Sequence, residues 1–328
     1  MDRVLVIGGT LFIGRALVEQ LLTRGDEVVI MHRGTGTPFG GRVGEIRCDR
    51  NDISGVRSAL ADRRFDVVYD NVYDWQRGTT AEQVAAAARA VSNGLRRYVF
   101  TSSVAAYPIG GPYDEDAPLT SADDPNDYAR HKAESERALF ALGRHDGVGV
   151  STLRPAFVYG PNNPFDREAF FWDRICAGRP IIIPGDGTAT MQWVHAHDVA
   201  RAAVLAADRE VANGRAYNLG NTPPITQAEF VLALARAAGR EATLVHVPRE
   251  RIAAAGGGLM APPLYFGAYL DIPPISIEVE RVRRELGLEL TPLDEGLRAT
   301  YRWYAEQERP VQHYGWEDDL IAASSGTG

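Results

Sequence analysis

The stretch Gly8-Gly9-Thr10-Leu11-Phe12-Ile13-Gly14 joins a short apolar run, Arg3–Gly8, to an amphipathic segment, Arg15–Thr23. The run is typical of a β-strand and the segment of a helix, because its apolar residues recur with the helical period. A glycine-rich loop at such a junction directs backbone N–H groups and the helix dipole at a pyrophosphate, and Gly14 allows close helix–strand packing. A plain tight turn is the alternative, but the position favours a dinucleotide site.

The alternation of strand and helix continues through the first half of the chain. Further strands are predicted at Glu27–Met31, Asp66–Tyr69, Arg97–Thr101 and Ser151–Arg154, and helices at Thr80–Ser92 and Asn126–Leu142. Such alternation indicates an α/β protein with a Rossmann-type, doubly wound parallel sheet that helices cover on both faces. Ligands of such folds bind at the carboxyl ends of the strands.

The pattern is more broken after Val150. Helices are predicted from Thr226, where Thr226 and Glu229 have the spacing of a capping box, and from Pro292 in the first helical position. We predict a dinucleotide-binding domain over residues 1–155 and a smaller, mainly substrate-binding lobe over 156–320, of which about 190–220 return to the first domain. Gly256–Pro263 is expected to be a mobile loop and residues 321–328 a flexible tail.

Composition excludes several classes of protein. The 328 residues are 45% hydrophobic and 24% charged with a net charge of −8, as in a folded globular protein without a basic face for nucleic acid. Cys48 and Cys176 lack metal-type spacing and are expected to be buried or reduced thiols. No apolar run is long enough for a membrane span. We therefore expect a soluble, cytoplasmic protein with no nucleic-acid or membrane partner.

One position stands out in the charge pattern. Of the 35 basic residues only Lys132 is a lysine, and it follows Tyr128 by one helical turn in a predicted helix. An ammonium on the same helix face can lower a phenol's pKa and hold a ribose hydroxyl. A lone lysine placed at random would take such a position about 4% of the time, so coincidence explains it poorly. Ser103 follows the strand that precedes this helix, although an ordinary serine-rich loop is the alternative there.

The sequence resembles the extended short-chain dehydrogenase/reductase family of NAD-dependent epimerases and dehydratases. The resemblance rests on the Gly8–Gly14 loop, Ser103, the Tyr128/Lys132 pair, Leu153–Pro161, Trp193–Ala200 and Tyr217–Gly220. It implies hydride transfer at a sugar-like secondary alcohol, by an epimerase or a reductase. Tyr128 would be the acid/base, Lys132 would support the phenolate and bind the nicotinamide ribose, and Ser103 would hydrogen-bond the reacting oxygen.

The implied cofactor is NADP or NAD. NAD-specific relatives usually end the second strand with an acidic residue, whereas this chain has His32 and Arg33, and a guanidinium suits a 2′-phosphate. NADP is slightly favoured, with stacking of Arg33 on adenine as the alternative. The candidate cofactor contacts are Gly8, Thr10, Leu11, Phe12, Ile13, Gly14, His32, Arg33, Asp49, Arg50, Asn71, Lys132 and Pro155.

Some positions depart from the family pattern. Leu11 replaces the middle glycine of the loop, as in relatives similar to the chloroplast stem-loop-binding group. Phe157 and Met191 stand where relatives carry polar contacts to a substrate diphosphate, so the substrate either binds differently or lacks that group. The acidic pair of 4,6-dehydratases is absent after Ser103, so dehydration is not expected. The candidate substrate contacts are Ser103, Tyr128, Phe157 and Met191.

Two alternatives to catalysis use the same fold. The chain could bind RNA, as the stem-loop-binding relatives do, or could sense the cofactor without turnover. The net charge of −8 and the intact Ser103, Tyr128 and Lys132 argue against both. No metal site is expected from His195 and His197, and the resemblance implies a homodimer. The aromatics Trp75, Phe170, Phe171 and Trp172 are predicted mainly to pack in the core, with a substrate pocket as the alternative.

Overall fold

The computed structural model describes residues 1–257, 269–310 and 313–325 and divides the chain into two compact units. The first unit comprises Met1–Val158, Trp193–Gly220 and Ile277–Leu290. The second comprises Tyr159–Gln192, Asn221–Ser276 and Thr291–Gly328. The predicted domain boundaries place residues 277–290 in the substrate-binding lobe, whereas the structure includes them in the first unit.

The elements within the described ranges follow in chain order. The strands are β1 (Arg3–Ile7), β2 (Glu27–His32), β3 (Gly44–Arg47), β4 (Val67–Asp70), β5 (Arg97–Thr101), β6 (Gly110–Tyr113), β7 (Gly149–Pro155), β8 (Phe157–Tyr159), β9 (Ile181–Pro184), β10 (Thr190–Met191), β11 (Trp193–His195), β12 (Arg215–Leu219), β13 (Ile225–Thr226), β14 (Leu244–Val247) and β15 (Ile275–Ile277). The helices are α1 (Phe12–Arg24), α2 (Ile53–Leu60), α3 (Ala81–Ala90), α4 (Asp127–Asp146), α5 (Arg167–Cys176), α6 (Ala196–Asp208), α7 (Gln227–Ala237), α8 (Arg249–Ala254), α9 (Glu280–Leu286), α10 (Leu293–Ala305) and α11 (Gly315–Ser325).

A parallel sheet forms the centre of the first unit. Among the described residues it has seven strands in the order β12-β7-β5-β4-β1-β2-β3, and every neighbouring pair is parallel. The central strands are apolar and buried because helices cover both faces. The predicted Rossmann-type fold is therefore confirmed. Sequence patterning missed two strands of this sheet, β3 and β12, as well as helix α2. Strand β3 is short, and Ile46 alone is buried in it.

Local sequence signals account for several helix boundaries. The Thr226 side chain accepts a hydrogen bond from Glu229 N while the Glu229 side chain accepts from Thr226 N, which confirms the predicted capping box of α7. The same arrangement of Thr80 and Gln83 starts α3. Pro292 is the N-cap of α10, so this helix begins at Leu293, one residue later than predicted.

The second unit packs around buried aromatic residues of α5. Trp172 is buried and donates a hydrogen bond from Nε1 to Leu234 O at 2.9 Å. Phe171 is also buried, and Phe170 packs edge-on against Tyr269 at 4.9 Å between ring centroids. Core packing is thus confirmed for these aromatics. It is wrong for Trp75, which lies in the first unit and is 57% exposed.

Three further expectations concern the cysteines and the C-terminal half. Both cysteines lie in the described part of the chain and are free, as expected of reduced thiols; neither is fully buried, since Cys48 is half-buried and Cys176 is exposed. Helix α11 continues to Ser325 and so covers most of the predicted flexible tail, while residues 326–328 lie outside the described residues. Residues 258–263 of the predicted mobile loop also lie outside them. Of the helices that the structure describes, none has the length and apolar character that a bilayer crossing requires.

A buried ion pair joins α4 to β7 in the first unit. Arg154 donates to Glu136 Oε1 at 2.9 Å from Nε and to Oε2 at 2.7 Å from Nη2. Thr152 also donates to Glu136, and Arg154 donates to the Tyr107 hydroxyl at 2.6 Å. Each buried charge is therefore paired with an opposite charge. Replacing one partner of such a pair destabilises a protein far more than replacing both.

Replacing Arg154 with Met should lower the free energy of unfolding by about 3–5 kcal/mol, because Glu136 would keep a buried charge without its partner. Urea denaturation at pH 7 measures the effect. The double variant Glu136→Gln/Arg154→Met is the matched control and should recover much of the loss. A single variant within about 1 kcal/mol of wild type would show that Glu136 does not depend on Arg154 to compensate its buried charge.

Candidate active site

The candidate residues follow strands that end at one edge of the sheet. Hydrogen bonds from Gly8 N to Met31 O and from Asn71 N to Ile7 O, both 3.0 Å, join the ends of β1, β2 and β4. Ser102 N donates to Leu153 O at 2.7 Å, which places the segment that carries Ser103 beside β7. Because these strands are parallel, the loops that follow them share the carboxyl edge. Pro155 is buried at the end of β7.

The glycine loop is tightly constrained. Gly8 has φ +84°, and a Cβ there would lie 2.2 Å from Val72 Cγ2. A Cβ on Gly14 would lie 1.8 Å from Gly8 O. Helix α1 starts after Leu11, and among the described residues no side chain caps it. Its first-turn N–H groups, which include those of Phe12 and Ile13, therefore suit an anion such as a pyrophosphate.

The residues after β2 form a cluster of charged groups. Arg33 is exposed, and its Nη1 donates to Asp74 Oδ2 at 2.9 Å. Arg77 bridges Asp74 at 2.6 Å and Asp49 at 2.7 Å. His32 is buried, with Nε2 2.9 Å from Glu45 Oε2. The cluster holds Arg33 at the end of β2, where its guanidinium remains accessible to an anionic group.

Arg50 occupies a different environment from the one predicted. It is 5% exposed, and its guanidinium donates to Asp70 Oδ2 at 2.5 Å and to Gln83 O at 2.8 Å. Tyr98 also donates to Asp70 at 2.6 Å. Because Arg50 serves this buried network, we remove it from the candidate cofactor contacts. The sequence position of Arg50 could not show that Asp70, at the end of β4, would bind the guanidinium.

Asn71 presents an unused donor. Its Oδ1 accepts a hydrogen bond from Thr101 Oγ1 at 2.5 Å, whereas its Nδ2 is buried without a partner among the described residues. A buried amide N–H without an acceptor costs free energy. A ligand acceptor would relieve that cost, so Asn71 fits a place in a cofactor site.

Helix α4 carries Tyr128 and Lys132 and is fixed at its start by a side-chain cap. Asn126 Oδ1 accepts hydrogen bonds from Tyr128 N at 3.1 Å and from Ala129 N at 3.3 Å. The half-buried Tyr128 thus lies in the first turn, with Lys132 one turn further on the same face. Ser103 is half-buried, and its Oγ accepts from Ala105 N at 3.1 Å.

Lys132 is buried at the end of β5. It is 4% exposed, and Nζ donates to Thr101 O at 2.7 Å. Nζ also lies 5.9 Å from the ring centroid of Tyr128 and 4.7 Å from that of Phe100. This bond ties α4 to the strand that leads to Ser103. The structure therefore brings Tyr128 and Lys132 together beside that strand.

The environment of Lys132 opposes its positive charge. Burial lowers its pKa from 10.5 to about 8; the charge of Asp70 opposes this shift, and that of Arg50 adds to it. Within the described chain no carboxylate forms an ion pair with the ammonium, so the carbonyl and the aromatic faces compensate it only in part.

An aromatic cluster beside Tyr128 was not predicted from the sequence. Tyr73 packs edge-on against Tyr128 at 4.7 Å between ring centroids, and its hydroxyl is 3.1 Å from His131 Nδ1. Trp75 lies 4.7 Å from Tyr128 with a tilt of 31°. The sequence signal that could have indicated this cluster is that Tyr73 and Trp75 follow Asn71, a candidate cofactor contact, in the loop after β4.

The substituted positions of the family pattern lie in different units. Phe157, in the first unit, is 5.1 Å from Trp193 between ring centroids. Met191 is buried in the second unit and pairs with Ile225. His195 accepts a hydrogen bond from His197 N at 3.3 Å and so caps α6. In the part of the chain that the structure describes, no group of three possible metal ligands occurs.

Comparison with known proteins identifies the family. The model of the NAD dependent epimerase/dehydratase family matches residues 4–220. The chain belongs to this family. The family's members are NAD-dependent epimerases, dehydratases and reductases of the extended short-chain dehydrogenase/reductase type, so the predicted resemblance is confirmed.

Individual members of the family have different functions. The chain is 30% identical over 266 residues to the chloroplast stem-loop binding protein of 41 kDa b of Arabidopsis thaliana, covering 76% of this chain and 67% of that protein. It is 28% identical to a dTDP-4-dehydro-6-deoxy-D-allose reductase of Streptomyces sp, covering 93% and 97%. The structure of the UDP-glucose 4-epimerase of Thermus thermophilus in complex with NAD matches with a TM-score of 0.73 at 25% identity, covering 93% and 100%.

Replacing Lys132 with Met should raise the free energy of unfolding at pH 7 by about 1–3 kcal/mol, since a buried cation is removed at the loss of one hydrogen bond. The pKa of Lys132 is lower in the folded state than in the unfolded state. The buried positive charge therefore destabilises the fold fully below pH 8, and this destabilisation is lost between about pH 8 and 10.5. The gain should therefore shrink at pH 10. Urea denaturation at both pH values measures it.

The control is Arg89→Met, which removes an exposed charge and should change stability by less than about 0.5 kcal/mol. A Lys132→Met protein less stable than wild type at pH 7 would show that the surrounding groups fully compensate the ammonium, which would contradict the expected gain in stability.

Proposed function

We propose that the protein is an NAD(P)-dependent epimerase or reductase that acts at a secondary alcohol or ketone of a sugar or nucleotide-sugar-like substrate, with Tyr128 as the acid/base. The observation that carries the proposal is the buried ammonium of Lys132 beside the Tyr128 ring. A buried cation opposes folding, and such groups cluster at sites where the charge serves chemistry.

Tyr128 exchanges a proton with the substrate oxygen through its phenolic hydroxyl. The Lys132 charge, with Nζ 5.9 Å from the phenol ring, favours the ionised phenol and so allows proton transfer near neutral pH. Ser103 donates a hydrogen bond to the same substrate oxygen and holds it at the end of β5. These roles are those that the family resemblance implies.

The first unit offers a consistent set of groups for the cofactor. The constrained Gly8–Gly14 loop and the uncapped start of α1 suit the pyrophosphate. Arg33 and Asp49 suit the adenosine end, and Asn71 Nδ2 offers a free buried donor. Lys132 binds the nicotinamide ribose in the same proposal. When bound, the cofactor supplies the hydride acceptor or donor.

The proposed substrate class has two sources of support. The Streptomyces reductase and the Thermus epimerase are named for nucleotide-sugar substrates. Phe157 and Met191, however, replace polar diphosphate contacts, which favours a sugar that is held by other groups. Consumption of reduced cofactor in proportion to product indicates a reductase, and interconversion of two sugars without net consumption indicates an epimerase.

RNA binding is the second candidate, and the Arabidopsis relative, named as a stem-loop binding protein, supports it. Phosphate contacts by cationic side chains dominate such binding, and the net charge of −8 opposes it. Catalysis therefore remains our proposal. It includes a cytoplasmic location, which two free thiols suit, and the homodimer that the resemblance implies.

Tyr128→Phe should lower turnover at least about 100-fold, because it removes the transferable proton while keeping the ring. Lys132→Arg should also reduce turnover strongly, since a planar guanidinium cannot take the place of a compact buried ammonium. A screen of sugars and nucleotide sugars, read by nicotinamide absorbance and product chromatography, identifies the substrate for both assays. For Tyr128→Phe, an unchanged melting temperature and NAD affinity serve as controls, and full turnover by this variant would refute the role of Tyr128.

Arg33 provides the test of cofactor preference. We expect wild type to bind NADP more tightly than NAD, and Arg33→Ala to weaken NADP binding about 10-fold while changing NAD binding little, through loss of one charge-assisted contact. Calorimetric titration with each cofactor measures this. Arg57→Ala, an exposed arginine on α2, is the control. Tighter binding of NAD by wild type would contradict the preference.

A further inference from the structure

Trp75 is an exposed aromatic residue beside the proposed acid/base. It lies in the loop of residues 71–80, between β4 and α3, with its side chain 57% exposed. All five tryptophans lie within the described residues; Trp172 and Trp193 are buried, and the remaining two are half-buried. An indole surface left in water forfeits the free energy of burying a large apolar side chain.

The backbone that carries Trp75 is held firmly on both sides. Asp74 Oδ1 accepts hydrogen bonds from Gln76 N at 2.9 Å and Arg77 N at 3.0 Å, and Asp74 N donates to Thr79 Oγ1 at 3.0 Å. Gly78 N donates to Asp74 O at 2.8 Å, and Gly78 O accepts from Asn51 Nδ2 at 2.6 Å. The exposed indole is therefore carried by an ordered turn.

Aromatic contacts also set the orientation of the indole. Tyr73 packs edge-on against Trp75 at 5.1 Å and against Tyr128 at 4.7 Å, so one phenol supports both rings. The Tyr73 hydroxyl is anchored to His131, on the same helix as Tyr128. Trp75 and Tyr128 thus have a fixed relative position, with a tilt of 31° between their rings.

A ring that meets both groups must have an apolar face and a hydroxyl edge. The apolar face would lie on the exposed indole, and a hydroxyl at the ring edge would reach the Tyr128 phenol. A pyranose has both features, because its axial C–H groups form an apolar patch and its hydroxyls point outward. Aromatic side chains combine such apolar contact with a low loss of conformational entropy.

We propose that Trp75 is a sugar-stacking platform that positions the pyranose ring of the substrate beside Tyr128. The inference rests on the proposed function, since it takes Tyr128 as the group that meets the substrate alcohol. The platform binds the sugar ring itself, which suits a chain in which Phe157 and Met191 replace polar diphosphate contacts.

The test compares wild type, Trp75→Phe and Trp75→Ala, each saturated with NAD, by calorimetric titration with UDP-glucose and with UDP as the sugar-free probe. We expect Trp75→Ala to weaken UDP-glucose binding about 10-fold, with UDP and NAD affinities changed less than about twofold. Trp75→Phe should keep most of the UDP-glucose affinity because it keeps an aromatic face. Val211→Ala, an exposed apolar residue of the same unit, is the matched control and should bind like wild type.

Trp75→Ala with wild-type affinity for UDP-glucose would overturn the inference, as would equal affinity of wild type for UDP-glucose and UDP. A comparable loss of NAD affinity would also overturn it, since the indole would then belong to the cofactor site. Turnover assays separate the two proposals. If the sugar raises the affinity over that of UDP in a Trp75-dependent way but no sugar in the screen is turned over, the platform stands and the enzymatic function is refuted. If turnover occurs and is unaffected in Trp75→Ala, the enzymatic function stands and the platform is refuted.

Discussion

The hydrogen bond from the Lys132 ammonium to Thr101 O is the interaction on which the rest of the site depends. It links α4 to the carboxyl end of β5, and it places a cation beside the Tyr128 ring in an environment that opposes charge. A fold that needed only a link between helix and strand could use a neutral side chain at lower cost. The charge is therefore best understood through the phenol next to it.

The parallel sheet supplies the frame for that bond. All its strands end at one edge, so segments far apart in sequence, among them the glycine loop, Asn71 and Ser103, follow strand ends that lie side by side. The buried Glu136–Arg154 pair holds α4 to β7 on the same frame. The position of Lys132 therefore depends on how α4 packs against the parallel sheet.

Sequence patterns predicted the structural features that depend on residues close together in the chain. The central strands, the Thr226/Glu229 capping box and the Tyr128/Lys132 spacing are local patterns with local physical causes. The burial of Arg50 depends on Asp70, a partner from another strand. The exposure of Trp75 likewise depends on how the loop after β4 meets α4, and aromatic character alone favoured the core.

A single NMR resonance can report the ionisation of Lys132, because the chain has one lysine among its 35 basic residues. Growth on lysine labelled with ¹³C at Cε gives one lysine signal, whose chemical shift reports the ionisation of Lys132 directly. We expect this signal to titrate with a pKa near 8 in the folded protein. Titration near the 10.5 of an exposed lysine would contradict the claim that Lys132 is a destabilised cation held for the chemistry of Tyr128.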